Sequence, residues 1–311
     1  MPGLDVGLRS WHALAGILVL ALGGCTILPM GDLESIDHPL TGRIWHPVEK
    51  KFLALTELEQ GVKESDLVLL GETHDNPEHH RLQLEILSAT LGYGRRPTLL
   101  MEQFDADQQS ALDDALSAGR DPTLLLRGWD VAQYRNLIRK AVDTGLPLRA
   151  TNLPREKLRP VVREGFAALS ADEVDRLRLH STWDDAREKF MASVIERSHC
   201  GKVGSQLRDG LVRAQRLRDA TLADSALRHL DGGAIFILGR GHARRDVGVP
   251  LYIAVRRPVT RILSIAFVEV SDGLLDPDSY EKDGTGGAPA YDVIWFTARA
   301  RRPDPCLAFG K

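Results

Sequence analysis

Four residues with acid–base or metal-binding side chains stand directly after short apolar runs of the chain. Glu72 and His74 follow one such run, Glu102 follows a second, and His242 follows a third. Histidine is the commonest transition-metal ligand and acts as a general base near neutral pH. Glutamate completes metal sites or activates water. These residues are the candidate catalytic set and also a candidate set of ligands for a divalent metal.

Two of the apolar runs end in the same pattern, Gly-x-x-His, at residues 71–74 and 239–242. One copy is weak evidence, because a strand-ending turn with a hydrogen-bonded histidine has the same spacing. Two copies, joined by a glutamate after another run, favour a functional site. Arg244 and Arg245 follow the second copy, and guanidinium groups bind carboxylates through paired hydrogen bonds.

Apolar runs alternate with segments of helical periodicity along much of the chain. Runs bounded by Gly or Pro predict buried strands. The predicted strands are 66–71, 97–101, 147–151, 234–239, 261–270 and 290–297. This alternation predicts the α/β class, with a mostly parallel central sheet flanked by helices. Because sites in such sheets form beyond the carboxyl ends of the strands, the four residues should meet at one rim.

The segment 154–230 has helical periodicity and no strand pattern. It is too long for a single crossover between strands. We therefore expect a smaller all-helical subdomain, leaning over one edge of the sheet. The α/β domain then comprises residues 49–153 together with 231–298.

The N-terminus has the features of a secretion signal, which we assign to residues 1–24. Its apolar run, 13–22, is too short to span a bilayer but has the length of a signal-peptide core. The sequence Leu-Gly-Gly-Cys at 22–25 resembles the bacterial lipobox, which predicts acylation of Cys25. The alternative is an ordinary signal peptide with an incidental cysteine. Residues 25–48 are then predicted to be a tether, with the folded part beginning near Glu49.

Composition excludes some classes of protein. Hydrophobic residues make up 43% and charged residues 27%, as in ordinary globular proteins. The 40 basic and 43 acidic residues give a net charge of −3, which excludes a strongly basic nucleic-acid binder. The three cysteines match no zinc pattern. The sequence leaves open whether Cys200 and Cys306 form a disulfide.

Two other polar groups are interpreted without a function. His79 and His80 lie inside a predicted helix and are assigned to its surface or to the edge of the site. The run Arg299–Arg302 is assigned to solvated surface.

Several motifs, in order along the chain, resemble one protein family. They are Leu-Leu-Gly-Glu-Thr-His-Asp at 69–75, Met-Glu at 101–102, Gly-Trp at 128–129 with Tyr134, Ala-Thr-Asn-Leu-Pro-Arg at 150–155, Ala-Gln-Arg at 214–216 with Asp219, and Gly-x-Gly-His-Ala-Arg at 239–244 with Gly-Val-Pro at 248–250. Their combination resembles the ChaN-like haem-binding uptake lipoproteins. That family is grouped with the Tiki-type metalloproteases and the erythromycin-esterase-like proteins.

The resemblance implies a lipid-anchored, haem-binding protein of the outer membrane, facing the periplasm or the cell surface. Thr26 after the acylated cysteine points to the outer membrane by the same resemblance. The family's haem-stacked dimer implies a homodimer. For haem, the resemblance and the residue types together suggest a set of contact residues. They are His74, Tyr134, His242, Arg244 and Arg245.

Three functional hypotheses follow, and we favour the first. In the first, the chain binds haem for iron uptake, with Tyr134 as candidate axial ligand, although Tyr134 also fits the apolar stripe of a helix. In the second, Glu72, His74, Glu102 and His242 catalyse hydrolysis, with or without a divalent metal, as in the Tiki and erythromycin-esterase-like relatives. In the third, a membrane-bound lipoprotein only bridges other complexes.

Overall fold

The computed structural model describes residues 33–281, 284–304 and 306–307 of the 311-residue chain. The predicted signal peptide and Cys25 lie outside these residues. The strands are β1 (Leu33–Glu34), β2 (Ile44–His46), β3 (Lys51–Leu53), β4 (Leu67–Glu72), β5 (Thr98–Asp105), β6 (Leu148–Asn152), β7 (Ala234–Gly239), β8 (Ile262–Glu269), β9 (Val293–Thr297) and β10 (Arg299–Ala300). The α-helices are α1 (Leu55–Glu64), α2 (Pro77–Gly92), α3 (Gln109–Ser117), α4 (Val131–Asp143), α5 (Arg155–Glu164), α6 (Ala171–Arg176), α7 (Asp185–Ser198), α8 (Ser205–Leu227), α9 (Arg240–Ala243) and α10 (Val249–Arg256).

Within the described residues, the main sheet has eight strands in the order β3-β2-β9-β8-β4-β7-β5-β6. The strands from β9 to β6 are paired in parallel, whereas β2 pairs antiparallel with both β9 and β3. The predicted α/β class with a mostly parallel sheet is confirmed. The central strands β4 and β7 are neighbours, so the segments that follow them leave the sheet side by side.

Helices cover the sheet on both faces, which explains why the central strands are apolar without alternation. Every residue of β4 and β7 is buried. On one face, the core contains side chains of α1, α2, α3 and α4. On the other face, it contains side chains of α5, α8 and α10. Among the described helices, none is long and apolar enough to cross a bilayer.

The segment predicted to be helical is helical, and its longest helix packs against the sheet. Between α5 and the end of α8 the described residues contain no strand. Leu217 and Ala220 of α8 share one core with Leu69 of β4 and Phe236 of β7. The segment therefore contributes to the core on one face of the sheet, and α8 contacts β6, the strand at one edge. A separate helical subdomain stays a prediction.

The predicted tether is wrong for residues 33–48, whereas residues 25–32 lie outside the described part of the chain. Ile44 and Trp45 in β2 pair with β9 in the main sheet, and both are buried. The fold includes residues from Leu33 onward, and Leu33–Lys311 forms one compact unit. A three-residue strand between polar, Pro-flanked segments is too short to produce a recognisable strand pattern, because pairing with β9 rather than local sequence makes it a strand.

Candidate functional site

The two Gly-x-x-His motifs lie side by side at the carboxyl ends of β4 and β7. These strands are parallel, and their register pairs Glu72 with Gly239. Glu102 lies in β5, the other neighbour of β7. His74 and His242 lie just beyond their strands. The structure thus brings the four candidate residues to the same end of the sheet, while their roles remain predictions.

Glu72 is the centre of a buried hydrogen-bond network, which we call the Glu72 cluster. Its other members, with the distance from the side-chain oxygen or nitrogen to the nearer carboxylate oxygen, are Tyr134 (2.6 Å), Gln83 (2.5 Å), Gln103 (3.0 Å), His74 (2.8 Å) and His80 (3.4 Å). The hydroxyl and the two amides donate to the carboxylate. These donors come from α2, α4 and β5, so the packing of those elements fixes the position of Glu72.

The charge of Glu72 is held fixed by its neighbours. Burial raises the pKa of this carboxyl, but the charge of His80 and the hydrogen bond and charge of His74 outweigh burial and lower the pKa to about 2. Burial lowers the pKa of His74, and its contacts with Glu72 reverse this, so that the pKa is raised. Glu72 is therefore an anion at neutral pH that binds the Nδ1 side of the His74 ring.

His74 connects this buried network to solvent. Its side chain is 43% exposed, whereas that of Glu72 is fully buried. The ring packs edge-on against Trp129, with the two centroids 4.8 Å apart. Because Nδ1 is held by Glu72, Nε2 is the ring nitrogen left for a ligand or a substrate.

Tyr134 belongs to the support of the site in this conformation. It is 1% exposed, and its hydroxyl donates to Glu72. Burial and the negative charge of Glu72 raise the pKa of the phenol far above its usual value, so the tyrosinate form is disfavoured. Ligation of iron by Tyr134 remains a prediction, and this geometry counts against it.

A second buried network, the His242 cluster, consists of Glu102, Gln215, Asp219 and His242. Nδ1 of His242 lies 2.6 Å from Oδ1 of Asp219, and its Nε2 lies 3.6 Å from Oε1 of Glu102. The amide nitrogen of Gln215 lies 3.0 Å from Nδ1 of His242. Oε2 of Glu102 accepts a hydrogen bond from the backbone N–H of Gly239 at 2.7 Å. Asp219 and Gln215 come from α8, on the opposite face of the sheet from α2.

The His242 cluster holds a proton more firmly than isolated side chains do. Burial lowers the pKa of His242, but the negative charges of Asp219 and Glu102 dominate and raise it. Burial raises the pKa of Asp219, and its contact with His242 only partly opposes this. The pair can therefore store a proton between the carboxylate and the ring, the arrangement of a histidine oriented by an acid.

The two clusters meet at Gly239. A Cβ atom at this position would lie 3.0 Å from Cε1 and Nε2 of His74 and 3.7 Å from Oε2 of Glu102. The side chains of His74 and Glu102 therefore approach each other over a residue that has no side chain of its own. Glu72, His74, Glu102 and His242 form one continuous polar site.

The two arginines predicted to bind carboxylates already have carboxylate partners. Nε and Nη2 of Arg244 donate to Asp246 at 2.9 and 2.8 Å. Nη1 of Arg245 donates to Asp292 at 2.8 Å. Their spacing after the second Gly-x-x-His motif predicts proximity to the site, but the nearby carboxylates of Asp246 and Asp292 bind both guanidinium groups.

The predicted metal set finds no support in the geometry. Among the described residues, no group of three or more His, Cys, Asp or Glu side chains is arranged to hold a metal ion. The chemistry of the donors gives a reason, because Glu72 accepts hydrogen bonds from a hydroxyl and two amides. A cation at that carboxylate would have to displace them.

For His79 and His80 the surface alternative of the prediction is wrong, because both are buried. They lie at the edge of the site, where His80 contacts Glu72 and His79 contacts the backbone of Thr73. Nδ1 of His79 accepts from the backbone N–H of Thr73 at 2.8 Å, and its Nε2 donates to the hydroxyl of Thr297. Burial lowers the pKa of His79 to about 3, so this ring is neutral. His79, His80 and Gln83 share the face of α2 that carries Leu82 and Ile86. The sequence signal for these buried contacts is the presence of polar residues on an otherwise apolar face of the helix.

The C-terminal segment, residues 298–307, supports the loop that carries His74. The guanidinium of Arg302 binds Asp75 through two hydrogen bonds of 2.8 Å and also binds Glu269. Asn76 donates to Glu269 and to the backbone carbonyl of Ala298. The assignment of this arginine run to solvated surface is wrong for Arg302, which is half-buried and bridges two acids.

A disulfide between Cys200 and Cys306 answers the question that the sequence left open. Their Cα atoms are 5.7 Å apart, and they are separated by 106 residues in the chain. The bond links the end of α7 to the C-terminal segment. That segment is thus attached both to the loop beside His74 and to the helical face of the fold.

The chain matches one protein family and resembles several solved structures. A family model described as haem-binding uptake, Tiki superfamily, ChaN matches residues 58–253. No curated protein matches the sequence significantly. The solved ChaN of Campylobacter jejuni, described by its cofacial haem binding, has a TM-score of 0.64 at 19% identity, covering 81% of this chain and 95% of that one. At this identity the likeness establishes the fold.

Two further solved structures are more distant. A protein from Bacillus cereus has a TM-score of 0.42 at 16% identity, covering 69% of this chain and 68% of that one. An erythromycin esterase mutant in its open conformation has a TM-score of 0.40 at 16% identity, covering 70% of this chain and 72% of that one. Likenesses this weak carry no argument about the site.

Proposed function

The chain belongs to the ChaN family of haem-binding uptake proteins in the Tiki superfamily, and we propose that it binds haem for uptake, with His74 as the iron ligand. The observation that carries the proposal is the state of the His74 ring. Its Nδ1 is bound to the buried anion Glu72, and within the described residues its Nε2 has no hydrogen-bond partner. Metal-ligating histidines are typically held in this way, by a carboxylate on the nitrogen that does not bind the metal.

The surroundings of His74 fit haem in two further respects. Trp129 packs against the ring and is only half-buried, so it offers apolar surface to a porphyrin beside the iron ligand. The fixed negative charge of Glu72 makes the imidazole a stronger electron donor. When bound, haem supplies an iron with an axial position that a histidine can occupy. Tyr134 then acts indirectly, by holding Glu72.

Haem titration of the chain from Thr26 onward tests this proposal, because residues from Leu33 form one compact unit. We expect His74→Ala to shift the Soret band and to weaken binding by more than about tenfold, at least the cost of losing an outer-shell partner of a ligand. The matched control is His229→Ala, since His229 lies before β7, at the opposite end of that strand. Equal spectra for wild type and His74→Ala would contradict ligation by His74.

Under the same proposal, the protein is anchored in the outer membrane through an acylated Cys25. The support is the lipobox-like sequence at 22–25 and the family membership. Two or more acyl chains give stable attachment where one gives reversible binding. Mass spectrometry of the N-terminal peptide from the membrane fraction tests this. An unmodified Cys25, or an uncleaved signal peptide, would contradict the lipoprotein assignment.

We extend the proposal to a homodimer assembled around haem. The Campylobacter protein binds haem cofacially, and two stacked haems between two copies of this chain would give the same arrangement. Light scattering during chromatography distinguishes the outcomes. We expect the mass to double on haem addition in wild type and to stay unchanged in His74→Ala. A haem-loaded wild type that remains a monomer would contradict the dimer.

Hydrolysis remains a second candidate, because the His242 cluster favours it. Asp219 orients His242, and Glu102 faces the other ring nitrogen, so the cluster contains a base with its orienting acid. In this function His242, in the neutral form that it adopts above its raised pKa, takes a proton from water while His74 and Glu102 contact the substrate. Cleavage of chromogenic esters, with and without added divalent metal, tests it. Activity lost in His242→Gln and retained in His229→Gln would support an enzyme; no cleavage by wild type would contradict one.

A further inference from the structure

Arg218 is a half-buried cation that flanks the His242 cluster. It immediately precedes Asp219 in α8 and lies three residues after Gln215, which places these side chains on neighbouring positions of one helix face. Asp219 and Gln215 both contact His242. Arg218 is thus positioned at the site by the same helix that orients the histidine.

The guanidinium of Arg218 has no acceptor in the described part of the chain. Its Nε is buried without a hydrogen-bond partner, and no ion pair there includes it. Arg244 and Arg245, in contrast, are bound to Asp246 and Asp292. A guanidinium stays charged and carries five donors. A buried donor without an acceptor is unfavourable, so this position is suited to an acceptor that arrives with a ligand.

The charge of Arg218 acts on the groups of the site. Burial lowers the pKa of His242, the charges of Asp219 and Glu102 outweigh burial and raise it, and the charge of Arg218 opposes that rise. Burial raises the pKa of Asp105 at the end of β5, and Arg218 with Arg127 opposes this too. Arg218 is therefore close enough to both the His242 cluster and the end of β5 for its charge to act on them.

We propose that Arg218 binds a carboxylate of the ligand that occupies this site. A carboxylate matches the planar fork of a guanidinium and forms two parallel, charge-assisted hydrogen bonds with it. For haem the carboxylate is a propionate, and in that form the inference rests on the proposed function. For a hydrolysed substrate it is a carboxylate of the substrate. Arg218 takes the role that the sequence assigned to Arg244 and Arg245.

Porphyrins with and without free propionates test whether Arg218 binds a propionate of haem. The chain from Thr26 onward is titrated with haem, with metal-free protoporphyrin, and with haem whose propionates are methyl esters. We expect Arg218→Gln to weaken haem and protoporphyrin by about tenfold, the effect of one charge-assisted contact, and to leave the ester unchanged. Arg218→Lys, which keeps the charge without the fork, should fall between the two.

Arg213→Gln is the matched control. Arg213 lies in the same helix and also has a buried Nε without a partner, but it faces Gly165. The Arg213→Gln variant should bind all three porphyrins as the wild type does. Equal weakening of haem and its ester by Arg218→Gln would indicate a packing role and overturn the inference. Unchanged binding by Arg218→Gln, or a matching loss in Arg213→Gln, would overturn it as well.

A free carboxylate separates this inference from the proposed function. If wild type binds no porphyrin, haem binding fails, and thermal unfolding in millimolar succinate then decides the case of Arg218. Succinate should raise the Tm of wild type and Arg213→Gln but not that of Arg218→Gln. Equal shifts in all three proteins, or no shift in wild type, would contradict carboxylate binding by Arg218. Circular dichroism of each variant confirms that it is folded.

Discussion

The Glu72 cluster and the His242 cluster begin from the same motif on neighbouring strands and differ in almost every electrostatic property. In the Glu72 cluster, a buried carboxylate is surrounded by donors and its histidine reaches solvent. In the His242 cluster, the histidine is buried between two carboxylates. The strands supply identical starting positions, so the difference must come from the helices that pack on each face.

The helices on the two faces contribute opposite chemistry. On one face, α2 and α4 supply Gln83 and Tyr134, which donate to Glu72, and His80, whose Nδ1 lies 3.4 Å from its carboxylate. On the other face, α8 supplies Asp219, an acceptor for His242. The same Gly-x-x-His sequence thus yields an exposed histidine held by a permanent anion and a buried histidine that keeps a proton. Predictions that alter one cluster and spare the other test this division.

The largest effect is expected for Glu72→Ala. It leaves the hydroxyl of Tyr134 and two amides buried without their acceptor, and it leaves His80 without its counter-charge. Breaking a buried charged network of this kind costs about 3–5 kcal/mol in the free energy of unfolding. Urea unfolding measures it. The control is Glu85→Ala, an exposed ion-pair residue of α2 that should cost under about 1 kcal/mol; similar losses in both variants would contradict a structural role for Glu72.

The pH dependence of stability should divide between the clusters. The pKa of Glu72 is about 2 when folded and ordinary when unfolded, so its contribution is present above about pH 4.5 and is lost as pH falls towards 2. The pKa of His242 is raised on folding, so its contribution is present below about pH 6.5 and is lost as pH rises through the folded value. For Glu72 we expect an effect of at most about 3 kcal/mol, since one pKa unit corresponds to about 1.4 kcal/mol.

Variants separate the two limbs of the pH profile. Glu72→Gln should flatten the acid limb of the unfolding free energy, and it should also remove from the alkaline limb the smaller share of His74, whose pKa Glu72 raises. His242→Gln should reduce the alkaline limb and leave the acid limb. Urea unfolding at pH intervals from 3 to 9 measures both. If either variant changes both limbs equally, the clusters titrate as one unit and the division is wrong.

The sequence predicted the parts of the site that depend on local patterns, and it missed the parts that depend on contacts between distant segments. The apolar runs before Glu72, Glu102 and His242 are local, and they predicted correctly that these residues come from neighbouring buried strands or the turns after them, although β5 continues past Glu102 to Asp105. The donors Gln83 and Gln103 belong to other elements than Glu72, α2 and β5, and no local sequence pattern indicates that they contact it. Asp219 was part of a recognised motif, but only the packing of α8 on the sheet gives it His242 as a partner.

The same reasoning explains the errors in the fold. Strand β2 exists because β9 pairs with it, and its three residues carry no pattern of their own. Arg302 looked like one of several surface arginines, because its partners Asp75 and Glu269 come from segments 227 and 33 residues away. Long-range pairing of charges cannot be deduced from the local sequence.

A smaller and more local effect is expected for Arg302→Gln. Arg302 binds Asp75, the residue after His74, and has no contact with the His242 cluster. Losing its charged hydrogen bonds should cost about 1–3 kcal/mol in stability. NMR signals of the His74 ring should move while those of His242 stay in place. Arg301→Gln, which affects the exposed pair with Glu34, should change neither ring; movement of the His242 signals in Arg302→Gln would show that the clusters are coupled.

The smallest change in stability, and the most selective change in the site, is expected for Gly239→Ala. The backbone at Gly239 has φ −60°, a conformation that alanine adopts freely. The new Cβ would lie 3.0 Å from Cε1 and Nε2 of His74, which is closer than side chains normally approach. The ring of His74 is partly exposed and can move away, whereas Glu102, at 3.7 Å, is in ordinary contact. The cost of crowding is then offset by the gain from a less flexible unfolded chain, about 0.4–1 kcal/mol, so stability should hardly change.

Haem binding should nevertheless weaken several-fold in Gly239→Ala, because the displaced atom of His74 is the proposed ligand nitrogen. The control is Gly241→Ala in the next turn, where a Cβ would meet nothing within 4 Å. Gly71→Ala is the opposite case: its Cβ would lie 2.8 Å from Cβ of Ala243 and 3.1 Å from Cα of Arg240, positions that cannot yield without moving backbone. Titration of all three with haem, alongside thermal unfolding, completes the comparison. If Gly239→Ala binds haem like Gly241→Ala, the ligand does not bind at Nε2 of His74. His74 then loses its proposed role, and the buried His242 becomes the candidate.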